Sequence, residues 1–96
     1  MLAYLARTYF HEDFDIEAES PLGVVEKFAI RERAEYSREL LGELNSLRDR
    51  GVSEEQAKRI WLDECGAYYE PDSDGINYVQ WFEQIIDLLE RRLRSI

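Results

Sequence analysis

Residues 77–94 read NYVQWFEQIIDLLERRLR and carry the clearest helical pattern of the chain. Apolar side chains recur there every three or four residues, which is the spacing of one face of an α-helix. They are Val79, Phe82, Ile86, Leu89 and Leu93, flanked by Trp81, Ile85 and Leu88. Asn77 and Gln80 have the spacing of a capping box, and the arginines at the far end suit the helix dipole. The segment is therefore predicted to form one amphipathic helix.

The same spacing extends towards the N-terminus. Ser53 and Gln56 predict a second capping box, and Ser20 followed by Pro21 predicts another helix start. The first helix is expected to stop before His11, and the break between two middle helices is expected near residues 30–33. The expected buried residues of these earlier helices are Leu2, Leu5, Ala6, Tyr9, Leu22, Val25, Phe28, Ala29, Tyr36, Leu40, Leu41, Leu44, Leu47, Ala57, Ile60, Trp61 and Cys65.

No segment of useful length shows the alternating pattern of a β-strand, and no internal repeat or low-complexity linker interrupts the helical pattern. A chain of 96 residues, 45% of them hydrophobic, is large enough for one core. We therefore predict an all-α fold, a compact bundle of four or five helices that forms a single domain over residues 1–96.

Acidic residues dominate the charge of the sequence. The formal net charge is −9, and residues 61–90 contain eight acidic residues and no basic one. Such a charge repels nucleic acids and anionic membranes, and it attracts basic proteins. A basic protein is therefore the predicted partner. The alternative is that the acidic residues only keep a small domain soluble.

Cysteine content and hydropathy indicate a cytoplasmic protein. Cys65 is the only cysteine, whereas small proteins of oxidising compartments usually contain several that form disulfides. No apolar run approaches the roughly 20 residues of a membrane-spanning helix, and the first residues lack the basic region of a secretion signal. We expect the chain to stay in the cytoplasm, as a monomer until it meets its partner.

The sequence offers few groups for catalysis or metal binding. His11, the only histidine, lies among carboxylates directly after a helix, where an exposed loop residue is more usual than a general base. No phosphate-binding loop and no His/Cys spacing for zinc is present. Residues 70–75 resemble the start of an EF-hand loop, but the twelfth position of that loop falls on Trp81 instead of glutamate. We therefore predict no catalytic residue, no metal site and no cofactor.

A pair of tyrosines beside an acidic turn (residues 70–74) is the strongest candidate for a binding site. Residues 66–75 read GAYYEPDSDG and lie between two predicted helices. Tyr68 and Tyr69 follow a helix end and cannot both point inwards, so at least one is expected to be exposed. A purely structural role for the pair is the alternative. The predicted partner-binding residues are Tyr68, Tyr69, Glu70, Asp72, Asp74, Asp63 and Glu64, with Glu12, Asp13 and Asp15 as a second contact.

Several segments, in this order, resemble the small helical immunity proteins of bacterial contact-dependent growth inhibition systems. They are residues 9–15 (YFHEDFD), Ser20-Pro21, residues 62–71 (LDECGAYYEP), Asp74-Gly75 and Trp81-Phe82. The resemblance covers nearly the whole chain. It implies a cytoplasmic protein that binds and neutralises the C-terminal toxin domain of its cognate secreted effector. Such toxins are often nucleases, and an acidic inhibitor can cover the basic face with which a nuclease holds phosphates.

Two other interpretations stay open at this point. Residues 68–81, with the tyrosine pair, the acidic turn and the start of the last helix, are also similar to colicin-nuclease immunity proteins. The rival interpretation from another class is an acidic structural or regulatory adaptor whose partner is not a toxin. Expression of the toxin domain with and without this chain distinguishes an immunity protein from an adaptor.

Overall fold

The computed structural model describes residues 1–14 and 18–95 and, within them, contains five α-helices. They are α1 (Leu2–Tyr9), α2 (Pro21–Arg31), α3 (Ala34–Asp49), α4 (Glu54–Lys58) and α5 (Tyr78–Arg94). A π-helical turn, Arg59–Glu64, continues α4, and a 3₁₀ turn, Pro71–Asp74, precedes α5. The described residues include no strand, so the predicted all-α fold is confirmed. Every helix in these two ranges is too short or too polar to span a bilayer.

Helices α2, α4 and α5 start at the predicted caps. The Ser20 hydroxyl accepts a hydrogen bond from the N–H of the third residue of α2 at 3.1 Å. Ser53 with Gln56, and Asn77 with Gln80, form complete capping boxes whose hydrogen bonds measure between 2.8 and 3.2 Å. These bonds satisfy N–H groups of the first helical turn, which have no partner within the helix.

The boundary between α2 and α3 falls at Glu32 and Arg33, inside the predicted range of residues 30–33. Both residues have extended backbone conformations, with ψ angles of 163° and 152°, and so end the helix without glycine or proline. The Glu32 carboxylate accepts hydrogen bonds of 2.8 Å from the hydroxyls of Tyr4 and Tyr9. These bonds attach the corner between α2 and α3 to α1.

Helix α5 lies at the centre of the fold and contacts α2, α3, α4 and the 3₁₀ turn. Its buried residues are Tyr78, Trp81, Phe82, Ile85, Ile86, Leu88 and Leu89. They join one hydrophobic core with Leu2, Leu5, Ala6, Tyr9, Phe10, Val24, Val25, Phe28, Leu40, Leu44, Leu47, Ala57, Trp61 and Cys65. Most of the predicted core is therefore confirmed.

Some predicted core residues are only half buried, because they lie at the edges of the apolar helix faces. Leu22, Ala29, Tyr36, Leu41, Ile60 and Val79 pack against the core in this way, and Leu93 is also half buried. Phe10, Val24 and Tyr78, in contrast, are fully buried although they were not among the predicted core residues. Tyr78 lies three, four and seven residues before Trp81, Phe82 and Ile85, so it extends the buried face of α5 to the start of the helix.

The segment after α4 differs from the regular helix predicted for it. The Cys65 N–H donates to the Ile60 carbonyl, five residues back, at 2.9 Å, and the Ala67 N–H donates to the Trp61 carbonyl at 3.1 Å. The first of these bonds closes the wider turn of a π-helix. Trp61 and Cys65 are both buried as predicted. The turn ends at Gly66, whose φ of 73° is a left-handed conformation that glycine adopts without strain.

Candidate functional site

Residues 66–75 connect the π-helical turn to α5, and their backbone is held from two sides. The Tyr68 N–H donates to the Phe10 carbonyl, directly after α1, at 2.9 Å. The Trp61 indole N–H donates to the Tyr69 carbonyl, inside the core, at 2.8 Å. Because these partners belong to different elements, both tyrosines are fixed to the scaffold through their backbones.

Side chains alternate between core and solvent along this segment, as they do in an extended chain. Ala67, Tyr69 and Pro71 are buried, whereas Tyr68 and Glu70 between them are exposed. Tyr68 exposes 61% of its surface and Tyr69 only 4%. The prediction that at least one tyrosine is exposed is therefore confirmed for Tyr68. Tyr69, predicted as a contact residue, lies beneath the surface and presents almost no ring area to a partner.

Two buried tyrosines hold two carboxylates of the acidic turn. The Tyr69 hydroxyl donates to Asp74 Oδ2 at 2.9 Å, and the Tyr78 hydroxyl donates to Asp72 Oδ1 at 3.2 Å. Asp72, Asp74 and Glu70 are all exposed. The structure thus brings these three predicted residues together on one short turn that follows the tyrosine pair.

The environment of the two tyrosine hydroxyls keeps them protonated. Burial raises the pKa of Tyr78 to about 12, and the charge of Asp72 beside the hydroxyl adds to the shift. Burial also raises the pKa of Tyr69 well above its ordinary value, and the hydrogen bond to Asp74 raises it further. A protonated hydroxyl is a hydrogen-bond donor, so both tyrosines can hold a carboxylate at physiological pH.

Glu54, at the start of α4, holds the other end of Tyr78. Its carboxylate accepts hydrogen bonds from the N–H of Tyr78 at 2.7 Å and from the N–H of Val79 at 3.0 Å. The Lys58 ammonium lies 5.9 Å from the centre of the Tyr78 ring. From the sequence, Glu54 was predicted only as an acidic residue in the first turn of α4. Its contact with α5 could not be predicted from local spacing.

The second predicted contact lies next to the tyrosine pair. Glu12 and Asp13 are exposed in the turn that follows α1. The ring of the next residue, Phe14, packs against the ring of Tyr69, with 5.6 Å between their centres. This contact places the turn beside the tyrosine pair. Asp15, the third predicted residue of this group, lies outside the described residues.

Asp63 and Glu64 are exposed on the π-helical turn, but basic residues accompany them. Asp63 borders a surface depression together with Lys58 and Arg59. Arg59 also borders a second depression together with Glu64. The Glu64 carbonyl accepts a hydrogen bond of 3.4 Å from the Arg7 guanidinium. The surface predicted from residues 61–74 is therefore divided into the acidic turn and a region of mixed charge.

The described residues contain one buried thiol and one histidine that stabilises its own turn. Within residues 1–14 and 18–95, no three side chains of His, Cys, Asp or Glu are grouped so that they could hold a metal ion. Burial raises the pKa of the Cys65 thiol to about 11, so the reactive thiolate is scarce at neutral pH. His11 Nδ1 accepts a hydrogen bond of 3.1 Å from the Asp13 N–H and so stabilises its own turn. An exposed, fixed tyrosine beside carboxylates is instead typical of protein recognition.

Comparison with solved structures finds the same fold in a protein complex. The protein matches a chain of the crystal structure of a CdiA-CT/CdiI complex from Y. kristensenii 33638, with a TM-score of 0.85 and 20% sequence identity. The match covers 93% of this chain and 90% of that chain. Comparison with curated proteins gives no match. The family model described as CdiI immunity protein matches residues 1–89, and the chain therefore belongs to the CdiI immunity protein family.

Proposed function

We propose that this chain binds and neutralises the C-terminal toxin domain of its cognate contact-dependent growth inhibition effector. Its membership of the CdiI immunity protein family supports this function, as does the fold it shares with a chain of a CdiA-CT/CdiI complex. The chain acts as a single domain of residues 1–96 in the cytoplasm. It forms a one-to-one complex with the toxin and needs no catalytic activity, cofactor or metal to do so.

The exposure of Tyr68 on a fixed backbone is the observation that carries the proposed binding surface. Its side chain is 61% exposed, while its N–H is bonded to the Phe10 carbonyl and its neighbour Tyr69 is buried. Because this backbone is fixed and a tyrosine side chain has few rotatable bonds, its insertion into a pocket of a partner costs little conformational freedom. Aromatic anchors of this kind supply much of the affinity of protein interfaces.

A basic toxin domain fits the charge around Tyr68. Glu70, Asp72 and Asp74 follow it on the acidic turn, and Glu12 and Asp13 lie beside the tyrosine pair. Together with the net charge of −9, these carboxylates attract a basic protein by electrostatic steering. A nuclease binds phosphates through a basic face, so a nuclease domain is the class of toxin we propose.

Production of the cognate toxin domain in cells, with and without this chain, tests the function. The toxin domain alone is expected to stop growth, and the chain is expected to restore it. The purified proteins are expected to form a one-to-one complex that lacks toxin activity. If the wild-type chain is present and folded but neither protects cells nor binds the toxin domain, the proposed function is wrong.

Tyr68→Ala tests the proposed surface separately from the function. We expect this substitution to weaken toxin binding by on the order of 2 kcal/mol or more, mainly through faster dissociation. Tyr4→Ala is the matched control, because Tyr4 is 39% exposed but lies on α1 and bonds to Glu32. Unfolding of each variant is measured first. If folded Tyr68→Ala binds the toxin like the wild type, the interface lies elsewhere.

A further inference from the structure

Two buried tyrosines lie under the acidic turn, and each bonds to an aspartate of that turn. Tyr69 bonds to Asp74 at 2.9 Å and Tyr78 bonds to Asp72 at 3.2 Å. The tyrosines are 4% and 1% exposed, whereas both aspartates are exposed. In each pair, a hydroxyl that reaches out of the core therefore holds a carboxylate at the surface.

Both tyrosines are held by contacts besides their bonds to the aspartates. The Tyr69 carbonyl accepts the Trp61 indole N–H at 2.8 Å, and the Tyr69 ring lies 4.9 Å, centre to centre, from that of Trp81. The Tyr78 N–H donates to the Glu54 carboxylate at 2.7 Å. Each tyrosine thus has a second contact, through its own backbone, that does not involve the acidic turn. Neither needs a bound partner to take up its position.

We infer that Tyr69 and Tyr78 are positioning residues for toxin binding. They hold Asp74 and Asp72 where these carboxylates accept hydrogen bonds from lysine or arginine side chains of the toxin. This role rests on the proposed function and extends it to two buried residues that do not themselves touch the partner. The toxin groups that meet the acidic turn are then lysine or arginine side chains.

Preorganisation is the physical reason for this role. A carboxylate has about four acceptor sites, so one bond from a tyrosine leaves room for a cationic donor. Without the hydroxyl, the aspartate rotates freely, and binding must order it. The loss of one such bond is expected to weaken toxin binding roughly 2- to 12-fold. The salt dependence of association should stay the same, because no charge is removed.

Tyr69→Phe tests the role while keeping the buried ring. Tyr9→Phe is its matched control, because Tyr9 is 6% exposed and its hydroxyl donates to Glu32 Oε2 at 2.8 Å. Both variants lose one bond between a buried tyrosine and a carboxylate, so we expect similar changes in the free energy of unfolding. Only Tyr69→Phe is expected to weaken binding to the purified cognate toxin domain.

A double-mutant cycle separates positioning from a general effect on the fold. The effect of Tyr69→Phe on affinity is measured in the wild type and in Asp74→Ala, and the effect of Tyr78→Phe in the wild type and in Asp72→Ala. We expect each Tyr→Phe substitution to weaken binding in the wild type and to change it little once the paired aspartate is absent.

The outcomes distinguish this role from the function on which it rests. If the wild type binds the toxin domain, and Tyr69→Phe and Tyr78→Phe bind it as tightly as the control Tyr9→Phe, the positioning role is wrong. The proposed function then stands. An undiminished effect of Tyr69→Phe in Asp74→Ala also overturns the role, because the hydroxyl then acts through the fold. If the wild-type chain does not bind the toxin domain, both the role and the function are wrong.

Discussion

Trp61 connects the core to the candidate surface. Its fully buried ring lies 5.2 Å from that of Phe10 and 5.7 Å from that of Trp81, and its indole N–H donates to the Tyr69 carbonyl. Trp61→Ala removes this packing and leaves a buried carbonyl without its donor. We expect the free energy of unfolding to fall by roughly 3–5 kcal/mol. A change below about 1 kcal/mol in urea denaturation would contradict the core role.

Cys65 should react slowly with thiol reagents in the folded protein. Burial raises the pKa of its thiol from 9.0 to about 11. At neutral pH this lowers the thiolate fraction roughly 100-fold, and the thiolate is the reactive form. Because a thiolate of higher pKa is also a stronger nucleophile, we expect alkylation of the native chain to be slower than that of the denatured chain by at least about tenfold. Equal rates with and without denaturant would show that the thiol is accessible.

At the residue scale, the sequence predicted that one tyrosine of the pair is exposed but not which one. In an extended segment, the burial of one residue fixes the burial of its neighbours, because side chains alternate between the two sides. Here Ala67, Tyr69 and Pro71 are buried, whereas Tyr68 and Glu70 are exposed. Two contacts decide which tyrosine is buried. Phe10, which is distant in the chain, accepts the Tyr68 N–H, and the Trp61 side chain donates to the Tyr69 carbonyl. Local spacing cannot supply them.

At the scale of the elements, two glycines should respond to alanine in opposite ways. Gly66 has a φ of 73°, whereas Gly42 lies inside α3, and an added Cβ meets nothing within 4 Å at either position. The backbone therefore decides the effect. Gly66→Ala is expected to destabilise by roughly 1–2 kcal/mol, and Gly42→Ala to stabilise by about 0.5–1 kcal/mol. Changes of the same sign in urea denaturation would contradict this.

The helix starts were predictable, and the π-helical turn was not. The caps at Ser20, Ser53 and Asn77 involve residues within three positions of one another, so the sequence contains the whole interaction. The π-helical turn, Arg59–Glu64, replaces bonds to the fourth residue by a bond to the fifth. No local residue pattern distinguishes such a turn from an α-helical one.

For the whole molecule, we predict a loss of stability at alkaline pH. Burial raises the pKa of Cys65 from 9.0 to about 11, and those of Tyr9 and Tyr78 from 10.0 to about 12. The unfolded chain loses these protons at lower pH than the folded chain, so the free energy of unfolding falls as the pH rises through this window.

The contribution of these groups is complete below their unfolded pKa values and is lost as the pH passes their folded values. Urea midpoints measured from neutral pH to about pH 11 check this. Tyr78→Phe should make the loss smaller, because one titrating group is gone. A midpoint that stays constant over the whole range would contradict the prediction.

Charge should act mainly on the rate of toxin association. Neutralising two exposed aspartates of the acidic turn, in Asp72→Asn with Asp74→Asn, is expected to slow association at low salt and to flatten its salt dependence. The matched control, Glu26→Gln with Glu39→Gln, removes the same charge from exposed positions of α2 and α3. Equal slowing in both pairs would mean that net charge, and not the acidic turn, steers the toxin.

Local sequence is sufficient for the all-α class, the helix starts, most of the core and the negative charge, because these depend on near neighbours and on three- and four-residue spacing. The arrangement of the proposed binding surface depends on the packed fold. Residues from separate elements meet there: Glu54 holds Tyr78, and Phe10 holds Tyr68. The tertiary fold also decides which aspartates the buried tyrosines bond to and which basic residues lie near Asp63. These contacts cannot be read from the spacing of neighbouring residues.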